Sequence, residues 1–419
     1  MRHWNSFDNQ WMFSLFGTAV GAGILFLPIR AGMGGFYPIL VMCALIFPMV
    51  WLSHRALSRF VSEAKNSDDD ITHAVDEYWG QSVGFFIMIL YFFAIYPICL
   101  AYGVGITNTF ESFFIHQLQI TQWVDSTTNA LFPSIRAILA ILLVSAMMAV
   151  MILEEQWITK ISHWLVYPLC LILFGFSVYL IPHWKLEILT YIPNTQKFIE
   201  SIWLTLPVLV FAFNHSPAIS TFTLSMQKHY KRAAKKKADL ILFKTSLMLM
   251  LFIMFFVISC ILCLDSKDFA LAREANIPIL SYFANKFNNP LISYGAPLVA
   301  FLAIVTSFFG HYFGAFEGLN GIIRKALIFS GFTPNLKIIK AFSTLFMYLT
   351  IILVAYLNPS ILGFIEDLGG PIIAMILFLM PILAIWTISK LKKYKNLSLD
   401  LFVFVMGLLT ISSVVYKLL

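Results

Sequence analysis

Eleven stretches of mainly apolar residues dominate the chain, at 11–33, 36–53, 82–110, 135–153, 160–181, 200–225, 240–264, 293–318, 339–357, 361–388 and 399–418. A helix of about 20 such residues crosses the hydrocarbon core of a bilayer. Only helices and closed barrels do so, because lipid offers backbone N–H and C=O groups no partners. The connections are short and leave no room for a separate soluble domain. Hydrophobic residues make up 60% of the chain and charged residues 12%, far from the balance of a soluble domain or a disordered one. The expected fold is an all-α polytopic membrane protein with eleven transmembrane helices in a single domain, residues 1–419. The first stretch follows ten polar or mixed residues with no cleavage pattern, so no signal peptide is expected. The 41 phenylalanines read as lipid-facing bulk.

Lysine and arginine set the orientation of such a chain, since they concentrate in cytoplasmic loops. With the N-terminus inside, eight of the 28 lysines and arginines fall outside: Arg30, Arg136, Lys185, Lys197, Lys267, Arg273, Lys286 and Lys417. The other twenty, from Arg2 and Lys65 to the run Lys231, Arg232, Lys235, Lys236 and Lys237, fall inside. The N-terminus is therefore expected in the cytoplasm and, after eleven crossings, the C-terminus on the opposite side. The net charge of +7 reflects this anchoring against membrane lipid, and nucleic acid is not an expected partner. Cys43, Cys99, Cys170, Cys260 and Cys263 all lie in apolar runs and read as small buried hydrophobes, the CxxC at 260–263 included.

Two of the spans are broken at mid-depth. The first contains Gly17, Gly21 and Gly23 within seven residues, and each glycine weakens a helix by about 1 kcal/mol relative to alanine. The sixth contains Phe213-Asn214-His215-Ser216-Pro217, where the proline removes a backbone donor and clashes with the preceding turn. Irregular backbone at this depth is tolerated where it is buried or lines a cavity. Two breaks five spans apart have the spacing of an inverted repeat, about 11–181 and 200–388, with 399–418 added. In folds of that kind the substrate sits between the breaks, with helix N-termini facing its carboxylate and freed carbonyls facing cations. A zwitterionic amino acid suits such a site. The candidate binding residues are Thr18, Gly21, Ala22, Gly23, Phe213, Asn214, His215 and Ser216, with backbone groups holding the amino and carboxyl ends. The side chains of 214–216 read a polar side group.

Ionisable and hydroxyl groups inside the membrane are functional candidates by default. His215 lies in the second break, and Thr306 and Ser307 lie near the middle of the eighth span. His311 is one turn from Ser307, and Glu317 lies nearer the cytoplasmic end. Arg30 ends the first span, and Glu366 and Asp367 lie near the outer end of the tenth. An Arg30 pair with Glu366 or Asp367 would form an outer gate.

The strings GTAVGAGILFLPIRAGMGG (17–35), YFFAIYP (91–97), ITNT (106–109), FNHSP (213–217), SFFGHYFG (307–314), EGLNG (317–321) and NPSILGFIEDLGGPIIAMILFLMP (358–381) run in order through nearly the whole chain. They resemble the bacterial hydroxy and aromatic amino acid permease family, in its serine/threonine branch within the amino acid–polyamine–organocation superfamily. The aromatic branch is less similar, particularly at FNHSP. The resemblance implies the five-plus-five inverted repeat (LeuT-like) with broken helices 1 and 6. It also implies proton-coupled import of L-serine or L-threonine across the bacterial inner membrane, with a periplasmic C-terminus and no cofactor. The family pattern has a lysine where this chain has Thr306, which opens a second coupling model. In the proton model His215 is the carrier, because imidazole titrates near pH ~6.5. In the sodium model the hydroxyls of Thr306 and Ser307 and carbonyls near Ala19 and Ala22 hold the ion; no other metal site is expected. A membrane enzyme is disfavoured, since neither HExxH nor GxSxG occurs. A channel of the same fold is separated from a carrier by whether uptake saturates.

Overall fold

The computed structural model describes residues 4–64, 71–151 and 155–418; Arg2 and Lys65 of the charge tally lie outside the described residues. Nine helical segments among these are long and apolar enough to cross a membrane, or ten when one bent pair is taken as a single span. That pair is α1 (Ser6–Ala19) and α2 (Ala22–Gly32), whose axes differ by 54°. There follow α3 (Tyr37–Ser62), α4 (Ile71–Trp79), α5 (Gln81–Ser112), α6 (Pro133–Val150) and α7 (Glu155–Tyr179). The next run, Thr195–Cys263, holds α8 (Thr195–Ala212), α9 (Ile219–Tyr230) and α10 (Ala234–Cys263). Two short helices, α11 (Ser266–Glu274) and α12 (Ile279–Lys286), lead into α13 (Pro290–Phe329) and α14 (Leu336–Leu357). Then α15 (Ile361–Phe364), α16 (Gly370–Ala374) and α17 (Met380–Thr387) join through two π-helical turns, Ile365–Gly369 and Met375–Leu379, into one rod. The last helix is α18 (Leu397–Leu418).

The helices run past the apolar stretches that mark them. α3 continues to Ser62 and α13 to Phe329. Around the shared core α2 packs on α8, α3 on α10 and α5 on α13. On α14, Ile338, Phe342, Leu345, Leu349 and Leu353 are exposed and share one helical face, as a lipid-facing stripe requires. Phenylalanine does not follow the expected outward bias. Phe16, Phe26, Phe60, Phe213, Phe222, Phe256, Phe269, Phe283, Phe308 and Phe309 are among the largest fully buried side chains. Lipid tails are as apolar as the protein interior, so packing rather than hydrophobicity decides where a large ring goes. Cys260 and Cys263 are buried and free, and the Cys263 thiol donates to the Leu180 carbonyl.

The ion pairs among the described residues divide into two groups. At one end Asp8 meets Lys237, Arg59 meets Asp239, Asp76 meets Lys325 and Glu77 meets Lys390, while Glu63 takes Lys235 and Lys393. At the other end Arg30 and Arg273 meet Glu366, Arg136 meets Glu111, Lys185 meets Asp265 and Lys286 meets Asp268. These are the same two sets into which the charge bias sorted the cations. The chain entering and leaving the run Thr195–Cys263 also meets at one end, where the Lys185 N–H donates to the Leu262 carbonyl at 2.6 Å.

Lys237 is more than a loop cation. It is buried, and its ammonium lies 2.6 Å from Asp8 Oδ2. Asp8 is itself fully buried and also accepts from the Tyr230 hydroxyl at 2.6 Å. Removing one partner of a buried pair strands the other charge, at a cost of about 3–5 kcal/mol. Lys237→Met should therefore lower the thermal midpoint of the detergent-purified protein by several degrees. Asp8→Leu/Lys237→Met should recover most of that loss.

Candidate substrate site

The second break follows from Pro217. A helix continuing through it would need the residue 217 N–H to bond the Phe213 carbonyl, and proline has none. The freed Phe213 carbonyl accepts instead from Nδ1–H of His215, 3.1 Å away. The neighbouring N–H groups are rerouted as well. Asn214 N–H donates to the Phe211 carbonyl at 3.3 Å, His215 N–H to Nε2 of His54 at 3.2 Å, and Ser216 N–H to the Asn214 side-chain oxygen at 3.1 Å. The backbone donors of 214–216, expected to hold the substrate, are thus already bonded here. Two side-chain nitrogens remain. Nδ2 of Asn214 and Nε2 of His215 are buried with no partner among the described residues. Because the Asn214 oxygen takes the Ser216 N–H, Nδ2 is a donor. Because His215 Nδ1 carries the proton bonded to Phe213, Nε2 is a bare acceptor. Buried polar atoms are seldom left unpaired, and this donor and acceptor on adjacent residues are the candidate contacts for a polar ligand.

The first break lies at Val20-Gly21, both in extended backbone conformations. Gly21 precedes the first turn of α2 and supplies no capping side chain. The first-turn amides of a helix have no intrahelical partner and form an anion site. The glycines set how closely the elements approach. A Cβ on Gly21 would lie 2.4 Å from Ser307 Oγ and 2.6 Å from the Tyr102 hydroxyl. A Cβ on Gly23 would lie 2.6 Å from Cα of Ala212, the last residue of α8. The two breaks therefore touch. All eight candidate binding residues are buried.

Ser307 ties α13 to the first break. Its hydroxyl donates to the Thr18 carbonyl at 2.7 Å and accepts from the Tyr102 hydroxyl, 2.6 Å away. The His311 Nδ1–H donates to the Ser307 carbonyl at 2.9 Å. Thr306 is buried, but its hydroxyl donates to carbonyls of its own helix, Leu302 and Ala303, and Ala19 is buried at the end of α1. Toward the other side, Arg30 Nε lies 3.3 Å from Glu366 Oε1, and Arg273 grips both oxygens of Glu366 at 3.2 and 3.0 Å. Glu366 sits in the π-helical turn Ile365–Gly369 and is buried, whereas Asp367, one residue on, is exposed.

Three contributors had no signal in the sequence. His54 lies just past the end of the second apolar stretch, Tyr102 is one of 16 tyrosines and Arg273 reads as a loop cation. Only their contacts across the fold single them out.

A model of the tryptophan/tyrosine permease family matches residues 12–415. The chain belongs to this family. Its relatives include the serine transporter SdaC of Escherichia coli strain K12, 46% identical over 421 residues that cover 99% of this chain and 96% of the relative. The SdaC of Shigella flexneri is also 46% identical with the same coverage. The threonine/serine transporter TdcC of Yersinia enterocolitica is 38% identical over 446 residues, covering 99% of this chain and 97% of the relative. A permease family is one of carriers, and this chain is accordingly not an enzyme.

Two outcomes follow from the site geometry. Gly21→Ala drives a methyl group into Ser307 and Tyr102 and should cost about 1–3 kcal/mol of overpacking, with uptake falling at least tenfold while the carrier still reaches the membrane. At Glu366, Arg30→Gln and Arg273→Gln each leave one guanidinium. The double variant takes both from a buried carboxylate, so its loss of thermal stability should exceed the sum of the single losses by about 1–3 kcal/mol.

Proposed function

We propose that this permease imports serine and threonine across the bacterial inner membrane by proton symport through alternating access. The observation that carries the reading is the unpartnered pair at the second break, the donor Asn214 Nδ2 and the acceptor His215 Nε2. A hydroxyl both donates and accepts, so it suits such a pair; a methyl side chain does neither. The substrate carboxylate then rests on the first-turn amides of α2 and its ammonium on the carbonyls ending α1. The relatives named for serine and threonine support the same substrates.

Eleven crossings in two inverted halves fit this reading. The run Thr195–Cys263 is too long for one passage at 1.5 Å per residue, and the contact of its flanks, Lys185 with Leu262, supports two. Packing of α2 on α8, α3 on α10 and α5 on α13 brings spans five apart in the chain into contact, which supports a repeat of that length. The lysine and arginine bias puts the N-terminus in the cytoplasm and the C-terminus in the periplasm. Arg30, Glu366 and Arg273 then form the outer gate and Asp8 with Lys237 the inner one, and substrate leaves its buried site as one end or the other opens.

His215 Nε2 is the atom we assign to the coupling proton. Protonation turns it from acceptor to donor, and a substrate hydroxyl bonds it in either state. A sodium ion at Thr306 and Ser307 would take lone pairs of hydroxyls whose protons go to carbonyls, and at Ser307 it would compete with the bond from the Tyr102 hydroxyl.

The test is uptake of labelled serine into vesicles under separately imposed gradients. Uptake should saturate, persist without sodium when protons flow inward, and lose its pH dependence in His215→Gln. Failure to accumulate serine in sodium-free buffer despite an inward proton gradient would overturn proton coupling. Threonine should compete with serine, and alanine should compete at least tenfold less well, since sites built for a hydroxyl reject analogues lacking it by up to ~10⁴–10⁵. Equal competition by alanine or phenylalanine would overturn the hydroxyl assignment.

A further inference from the structure

At the second break two imidazoles lie face to face. The rings of His54 on α3 and His215 are 3.5 Å apart between centroids and 5° from parallel, and both residues are buried. The bonds of His54 fix its chemistry from both sides. Its Nδ1 lies 2.8 Å from the Val50 carbonyl, which only accepts, so Nδ1 carries the proton. Its Nε2 lies 3.2 Å from the backbone N–H of His215, which only donates, so Nε2 is bare. His54 is thereby held in one neutral tautomer. It gives the broken segment an acceptor that a continuous helix would have supplied from the preceding turn.

We infer that His54 is a positioning residue of the substrate site, whose Nε2 holds the His215 backbone while its ring sets the plane of the His215 imidazole and so directs His215 Nε2 to the substrate. This inference rests on the hydroxyl reading proposed above. The alternative is that His54 is simply a flat ring filling space beside another. The two differ in what a substitution must keep: a packing role needs an aromatic ring, and a positioning role needs an acceptor at the place of Nε2. Glutamine reaches that place with its amide oxygen; phenylalanine keeps the ring and loses the acceptor; leucine loses both.

The experiment compares His54→Gln, His54→Phe and His54→Leu with the unaltered chain. It measures initial uptake of labelled serine, competition by alanine, and the amount of monodisperse carrier recovered from the membrane. An unpaired buried N–H weakens the segment that carries His215, so His54→Phe should raise the KM for serine roughly 10- to 100-fold. The serine-to-alanine preference should fall with it, and Vmax per folded carrier should change less. His54→Gln should stay within roughly threefold of the unaltered chain in both measures. The inference is overturned if His54→Phe keeps its KM and preference, or if His54→Gln loses serine as fully as His54→Leu. A variant recovered in too little amount is read by serine-induced thermal stabilisation of the purified fraction, with the same ordering required. Failure of the underlying hydroxyl reading looks different. The unaltered chain would then show no preference for serine over alanine, and the role of His54 would be judged on the order of Gln and Phe in serine KM.

Discussion

A backbone N–H or C=O without a partner in the hydrocarbon layer costs several kcal/mol, and the centre of this molecule is arranged around that cost. Pro217 prevents α8 from continuing as a helix. The groups it frees are satisfied one by one: the Phe213 carbonyl by the His215 imidazole, the Ser216 N–H by the Asn214 side chain, and the His215 N–H by His54 from another helix. The side chains used for this repair are turned by it. Asn214 is left presenting its amide nitrogen and His215 its bare ring nitrogen. The polarity of the site is thus a by-product of how the broken backbone is kept bonded.

The first break is stabilised differently. Its glycines leave no side chain between α1, α2 and their neighbours, and Ser307 with Tyr102 closes directly onto it. One break is therefore lined by repaired side chains and the other by close-packed backbone. An amino acid needs both kinds of surface, charged ends against backbone dipoles and a side group against side chains.

Around this centre the charges sit at the two ends of the helices. Glu366 holds two guanidiniums from elements far apart in the chain, Arg30 and Arg273, and Asp8 holds Lys237 and Tyr230 at the other end. Buried carboxylates with several donors give well-defined contacts without adding much net stability over an apolar core.

The sequence alone determined the class of fold, the place of nearly every long helix and the position of both breaks along the chain, because these depend on local properties: apolar length, glycine content and the missing N–H of proline. It also singled out Asn214, His215, Arg30 and Glu366, since polar groups in apolar runs stand out. The short helices α4, α11 and α12 are too short and too mixed in polarity to register among apolar stretches of about 20 residues. Only the tertiary structure decided which atoms of the break remain unbonded and which residues complete it. His54 lies 161 positions from His215, Tyr102 lies 205 from Ser307 and Arg273 lies 93 from Glu366. A hydrogen bond over such separations depends on how helices pack, and helices in lipid pack by shape rather than by a hydrophobic pattern the sequence displays.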